Sequence, residues 1–461
     1  MNKELLTLLL KMKNNRFAAF LFILSLLTCC FSDNIEITLP TTDKEYSIYI
    51  CNCKDANYEL ANLINYVVLE DFKVDGRGKL FEKNEKSLAL EKKGSTVLFE
   101  DPFWTKEKID FVITPNLSNQ KVTFDIFDVR KQSVKTLSQI DLSGSSIAKI
   151  KALHRLSDFL MEQIYGQGGI ASKKILYSYK PYNENKDNDT NPWNAEIYET
   201  DTLGLINTRV TFDNSYSITP EFISSDGGKE EYDFIYVTYQ IGQPQIYIGK
   251  NNADKGKPLI KLRGNQLLPK VSYDKKYISF VSDASGNSDI FIQSLGKDFK
   301  TTGKPIQIYS GLNQTSASPH LSPDNKYIAF VSDKTGEAKI YIAAIEKTIS
   351  ERKTPVLEKI ISPCTECTCP CFSPDGTKLA FSGKINGRRQ IWIYDITKKK
   401  TYQITSGAED KENPCFGSDN KHIVYNTTSP ATDLFLLTLE TGLIRRLTKG
   451  SGEKHYPTFE K

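Results

Sequence analysis

The chain has 461 residues and a formal net charge of +4, from 60 Lys and Arg against 56 Asp and Glu. So near a balance excludes an electrostatic case for nucleic acid, and the basic residues form no stripe interleaved with aromatics. With 39% hydrophobic residues, 23 Tyr and 24 Phe, there is material for two domains and a bias towards β structure.

Residues 11–16 are basic, 17–27 apolar, and 28–33 small or polar. That layout predicts a secretory signal over residues 1–32, with Met12 the more ordinary start and cleavage near Ser32 expected over lipidation at Cys29. The apolar run falls short of the roughly 20 residues of a membrane-spanning helix. Residues 33–166 then mix periods and predict an α/β domain. Residues 35–39, 46–51, 95–99, 110–114, 121–127 and 133–141 read as strands. Leu60, Leu63, Ile64, Val67 and Val68 recur at helical spacing behind Asp55 as cap. A second helix is expected over 146–165, with Ile147, Ile150, Leu153, Leu156 and Leu160 on one face and Gly166 as its stop. Gly166, Gly168 and Gly169 supply the linker into a second domain, 171–461.

That second domain is repetitive. A reference proline recurs at Pro220, Pro269, Pro319, Pro370, Pro414 and Pro457, at spacings of 49, 50, 51, 44 and 43 residues. These are propeller-blade lengths. Phe280, Phe330, Phe381 and Tyr425 share one register after the proline, and Phe291, Tyr341, Trp392 and Phe435 share another. Turns are expected at Asp226-Gly227, Asp324-Asn325, Asp375-Gly376 and Asp419-Asn420, where positive φ is tolerated. Each unit is then an antiparallel meander that buries both faces only by stacking radially. The last proline opens a strand with no successors, and residues 175–179, 196–200 and 208–212 look like its missing partners. The C-terminal strand therefore closes a ring of six blades, and the fold class is α+β, an N-terminal α/β domain followed by an all-β six-bladed β-propeller. Residues 180–193, rich in Asn, Asp and Lys, read as an exposed loop of the first blade.

Cys364, Cys367, Cys369 and Cys371 invite a zinc reading, but the spacing matches no common finger, and thiols of an exported chain pair instead. Disulfides are expected within this cluster, between Cys51 and Cys53, or elsewhere, with the pairing open. Cys371 and Cys415 share a register in neighbouring blades, a coincidence of the repeat. No serine elbow occurs, the four histidines have no metal-ligand spacing, and the repeated Asp324, Asp375 and Asp419 read as turn residues. No catalytic residue, metal or cofactor is expected. Binding is expected where the blades differ, in the loops before the prolines: Arg263, Asn265, Gln266, Asn313, Gln314, Thr315, Glu366, Glu409, Lys411, Glu412 and His455.

The run Phe372, Ser373, Pro374, Asp375, Gly376 with Leu379 and Phe381, its kin at Leu321 to Asp324, the six blades and the leading α/β domain together resemble the TolB family. The resemblance implies a monomeric periplasmic adaptor of the Tol-Pal system, without chemistry. The propeller rim would hold the peptidoglycan-associated lipoprotein Pal, and the segment with Asp33, Ile35, Ile37 and Leu39 would dock TolA as an added strand. Family members often carry tryptophan in the first strand, where this chain has Val271, Leu321, Phe372 and Phe416, and a histidine in the loop matched by 263–266. The rival readings are an exported propeller hydrolase or lactonase with a channel site, and a glycan-binding propeller.

Overall fold

The alternation read at 46–51 becomes the strand Tyr46–Ile50, flanked in parallel by Gly78–Leu80 and Phe111–Ser118. A computed structural model describes residues 45–54, 57–182, 194–225, 231–252, 255–428 and 431–461. The expected signal peptide, Asp33, Ile35, Ile37, Leu39, the Asp226-Gly227 turn and most of the 180–193 loop lie outside those residues. Lys121–Asp128 and Ser133–Thr136 extend the sheet antiparallel, and Ile140–Asp141 pairs beside them. Because strand side chains alternate, the sheet buries two faces. Ile48, Ile50, Ile113 and Phe124 pack with the long helices Tyr58–Asp75 and Ser146–Tyr165. Tyr49, Val112 and Phe127 pack with Leu98, Phe103 and Trp104.

Two local expectations are corrected. The first helix is capped by Asn57, whose side chain accepts from Leu60 N at 3.1 Å, whereas Asp55 lies outside the described residues. The expected strand at 95–99 is instead the helix Ser95–Glu100, one of three short helices in a row with Glu85–Leu90 and Phe103–Lys106. Gly94 at φ 88° sets its entry, and the indole of Trp104 donates to Leu98 O at 2.6 Å, tying the turns together. The second helix ends at Gly166, φ 75°, as expected.

Residues 45–461 form one compact unit. Leu153, Leu156 and Leu160 share a core with Ile175, Phe416 and Ile423 of the propeller. Gly169 is pressed so close that a Cβ there would meet Asp158 Oδ1 at 2.7 Å and Met161 Sδ at 2.3 Å. Two histidines fasten this contact. His154 Nδ1 lies 2.9 Å from Asp71, and its Nε2 lies 3.5 Å from Asp201 in the propeller. His422 bonds Asp419 through Nδ1 at 2.6 Å and the Val74 carbonyl through Nε2 at 2.7 Å. Thr438 donates to the same carbonyl, and Arg445 pairs with Glu70.

The propeller has six four-stranded antiparallel sheets. In the first blade Glu453–Phe459 is the innermost strand, followed by Ile175–Lys180, Glu196–Thr200 and Asn207–Arg209, so the C-terminal strand closes the ring. The aromatic register is a cross-strand pair: Phe280 faces Phe291, Phe330 faces Tyr341, Phe381 faces Trp392 and Tyr425 faces Phe435. Tyr177 with Tyr198 and Tyr236 with Tyr247 complete the set in the two blades where the sequence spacing hid it. Such pairs add about 0.5–1.5 kcal/mol each beyond area burial. The Ser-Pro-Asp motif is a turn device: Ser322 and Ser373 each donate to the following Asp at 2.6 Å, and Asn325 and Gly376 take φ 58° and 71°.

Each reference proline follows a residue at positive φ: Thr219, Leu268, Ser318, Cys369, Asn413 and Tyr456, all between 49° and 54°. The ladder slips at each of these points, so every innermost strand carries a bulge there.

Burial opposes the His154 imidazolium, but Asp71 and Asp201 outweigh it and hold its pKa at about 10. The raised value makes this stabilisation complete below the ordinary histidine pKa of about 6.5 and lost as pH rises through about 10. In chemical denaturation at mildly acid pH, His154→Leu is expected to lose about 3–5 kcal/mol, because it strands two buried carboxylates. The deficit should shrink in alkaline buffer, and a deficit independent of pH would assign the loss to packing alone. Deleting residues 453–461 removes the first blade's innermost strand, and calorimetry should show the cooperative transition broadened or lost. An unchanged transition would mean that the ring is held elsewhere.

Candidate functional site

The starts of the six innermost strands converge on one mouth of the central channel, while the far ends, two of which carry Ser-Pro-Asp turns, lie on the side that meets the α/β region. At the mouth lies a cavity of about 400 Å³. Its wall contains all six reference prolines and the left-handed residue before each. Because the bulge is common to every blade, the wall's chemistry is set by the side chains that differ.

One sector is charged. Arg389, from the strand Arg388–Asp395, pairs with Glu366 and, through Nε at 3.1 Å, with Glu412, while Lys384 reaches Glu366 at 2.9 Å. The Lys384 hydrogen bond, ahead of Arg389, holds the Glu366 carboxyl below its ordinary range. Burial holds the Glu412 carboxyl above it, with Arg389 offsetting only part. The next sector is polar: Cys369 Sγ donates to Asn413 Oδ1 at 3.1 Å, and Asn413 Nδ2 donates to Asn426. His455 and Tyr456 close the wall, and burial pushes the His455 imidazole below its ordinary pKa, so it is neutral at pH 7.

Below the mouth, the residue after each proline supplies the floor: Glu221, Lys270, His320, Cys371, Cys415 and Thr458. Glu221 takes Lys270 at 2.7 Å, Thr458 at 2.9 Å and Lys461 at 3.0 Å. Burial would raise its carboxyl, but Lys270 and Lys461 outweigh that and bring it to about 2. Burial, Lys461 and Lys270 push His320 down to about 3, so it is a neutral ring, 3.6 Å from Cys371 Sγ. The thiols of Cys371 and Cys415 donate to the carbonyls of Phe372 and Phe416, at 3.6 and 3.7 Å. Among the described residues, no three His, Cys, Asp or Glu side chains form a group that could hold a metal ion.

The expected rim residues separate. Glu412 and His455 line the cavity, and Glu366 adjoins it through Arg389. Arg263, Asn313, Thr315 and Glu409 are exposed around it, with Asn265 and Gln314 partly covered. Asn265 spends its side chain on Asp283, and Gln314 accepts from Tyr309. Two expectations are corrected. Gln266 is fully buried, its amide donating to Ile260 O and Leu262 O and accepting from Ile246 N. Lys411 is buried with Nζ on Ser406 O and Glu409 O. Both open a strand with the side chain turned inwards, so they brace the loops. Arg389, Asn413, Tyr456 and the floor escaped the sequence reading, although the residues following the prolines, five polar types over six positions of a repeat, were a usable signal.

Comparison with known proteins places the repeat. The family described as the TolB beta propeller domain matches residues 161–364 and 313–461. A Protein TolB homolog of Protochlamydia amoebophila (strain UWE25) is 37% identical over 311 residues, 67% of this chain and 66% of that protein, so the match spans just under two thirds of its length. The Protein TolB homolog of Chlamydia pneumoniae is 30% identical over 326 residues, 70% of this chain and 73% of that protein. The crystal structure of TolB from Acinetobacter baumannii superposes with a TM-score of 0.69 over 91% of this chain and 97% of that one, at 20% identity, a likeness of fold. By repeat, ring closure and sequence, this chain belongs to the TolB β-propeller family.

Proposed function

We propose that the protein is a non-enzymatic adaptor of a Tol-Pal system in the periplasm, supporting outer-membrane integrity and cell division. The carrying observation is the open mouth, about 400 Å³, whose repeated backbone is overlaid with an unrepeated set of side chains. A site built to hold the ring would be alike in every blade. One whose charged sector, polar sector and neutral histidine differ suits recognition of an asymmetric protein surface.

On this reading a Pal-like lipoprotein occupies the mouth, with Glu366, Arg389, Glu412, Asn413 and His455 at the centre and Arg263, Asn265, Asn313, Gln314, Thr315 and Glu409 around it. Residues 33–39 dock a TolA-like partner as an added strand through Ile35, Ile37 and Leu39. Membership of the TolB family supports both assignments.

Titration calorimetry with the soluble domain of a Pal-like lipoprotein tests the mouth. Glu412→Lys combined with Arg389→Ala should weaken binding by about 30-fold or more, the effect of losing a central contact of about 2 kcal/mol. Gln266→Ala should lower thermal stability and leave the affinity within a few-fold. Unchanged affinity in the double variant would remove the mouth from the interface. Deleting residues 33–39 should abolish capture of a TolA-like domain and leave Pal-like binding intact; loss of both would contradict separate sites.

A further inference from the structure

The floor of the channel holds a pair of thiols that the adaptor reading does not use. Cys371 and Cys415 stand at the same register of neighbouring innermost strands, each directly after its proline, and are 4% and 2% exposed. The sequence reading treats that shared register as coincidence, but in the folded ring it aims both side chains at the axis. Both belong to one core cluster, and each thiol donates to the carbonyl of the residue after it, Cys371 to Phe372 O at 3.6 Å and Cys415 to Phe416 O at 3.7 Å. On either side the ring continues through His320, 3.6 Å from Cys371, and Thr458, 3.9 Å from Cys415.

We propose that Cys371 and Cys415 are a modification site, oxidised to a disulfide that joins the fifth and sixth blades across the channel floor. Three features of the surroundings favour this over metal capture or inert burial. Lys270 and Lys461, both on Glu221, place two ammonium groups beside the thiols, which repels a cation and stabilises a thiolate. The neighbouring Cys371, ahead of Lys270 and Lys461, brings the Cys415 thiol down to about 6 against burial and Glu221, while Cys371 itself is pushed up, so Cys415 is the thiolate of the pair at neutral pH. Cys371 lines the cavity, so a reagent that enters the mouth reaches this sulfur directly.

The oxidant is a low-molecular-weight disulfide, small enough to enter the mouth; its presence in the cell rests on the periplasmic reading. Cys371, the sulfur that lines the cavity, passes its proton to the Cys415 thiolate and attacks one sulfur of the oxidant, whose S–S bond breaks and releases one thiol after taking a proton from solvent. Cys415 then loses its proton and attacks Cys371, expelling the second thiol. Two electrons pass to the oxidant, whose two sulfurs take up one proton from the cysteine pair and one from solvent, and one intramolecular S–S bond remains.

Two other arrangements compete in and just before the strand Glu366–Phe372. Cys364 and Cys367 are buried in one core cluster, and Cys369 faces Asn413. Peptide mapping distinguishes them. The purified chain is incubated with oxidised glutathione, alkylated in denaturant, digested without reduction and sequenced by mass spectrometry. The expected product is a cross-link between the peptide of Cys415 and that of Cys371, two hydrogens lighter than the sum of its parts and retained in Cys369→Ser and in Cys364→Ser/Cys367→Ser. It should vanish in Cys371→Ser, and the thermal midpoint of the unsubstituted chain should rise on oxidation. Alkylated Cys415 after oxidation, or Cys415 joined to any other cysteine, overturns the proposal. Because the oxidant is supplied, neither result depends on where the protein resides or what binds its rim.

Discussion

Six residues bearing side chains are held at positive φ immediately before six prolines, and the channel is built on that constraint. A left-handed conformation costs such a residue about 1–2 kcal/mol. A following proline narrows its choices further. The cost recurs in every blade and is offset by the ladders on either side and by the blade-to-blade cores. In return the bulge sets two residues against one, bends the strand start outwards and turns the next side chain to the axis. Proline suits the position because it brings no N–H that the interrupted ladder would leave unpaired. The same device therefore makes the prolines periodic, widens the mouth and gathers six side chains of five kinds into a floor.

The two ends of the channel differ as a consequence. The end with the Ser-Pro-Asp turns receives the α/β region, held by His422 and Thr438 on the Val74 carbonyl and by His154 between Asp71 and Asp201. Lys461 reaches in to Glu221, stacks over Tyr273 at 4.5 Å, and stops that side. The mouth stays open, with Arg389 held between Glu366 and Glu412 and thereby fixed before any partner arrives. Holding the guanidinium in place reduces the side-chain entropy lost on binding.

The propeller was legible because its physical needs repeat. The bulge spaces the prolines, the cross-strand pair spaces the aromatics, and the turn demands Ser-Pro-Asp. Blade closure was legible for the complementary reason, a first strand without successors and successors without a first strand. The pairs Tyr177–Tyr198 and Tyr236–Tyr247 were hidden because the first blade is split between distant segments and Tyr236 lies further from its proline than its counterparts. The helix Ser95–Glu100 read as a strand because so short a run fits either period, and the competition was decided by burying Leu98 against Trp104. The mouth was half legible: polar residues before each proline marked the end of the channel that carries the cavity. Gln266 and Lys411 fall where the strand has already begun and their side chains point inwards, whereas Arg389 comes from a third strand that no count from the proline reaches.

The most direct test of the account is hydrogen exchange of the whole chain with and without the soluble domain of a Pal-like lipoprotein. It predicts slowed exchange at the starts of Glu366–Phe372, Lys411–Phe416 and Glu453–Phe459, around the mouth. Protection confined to the Ser-Pro-Asp turns or to the helices Tyr58–Asp75 and Ser146–Tyr165 would place the partner at the other end and contradict it.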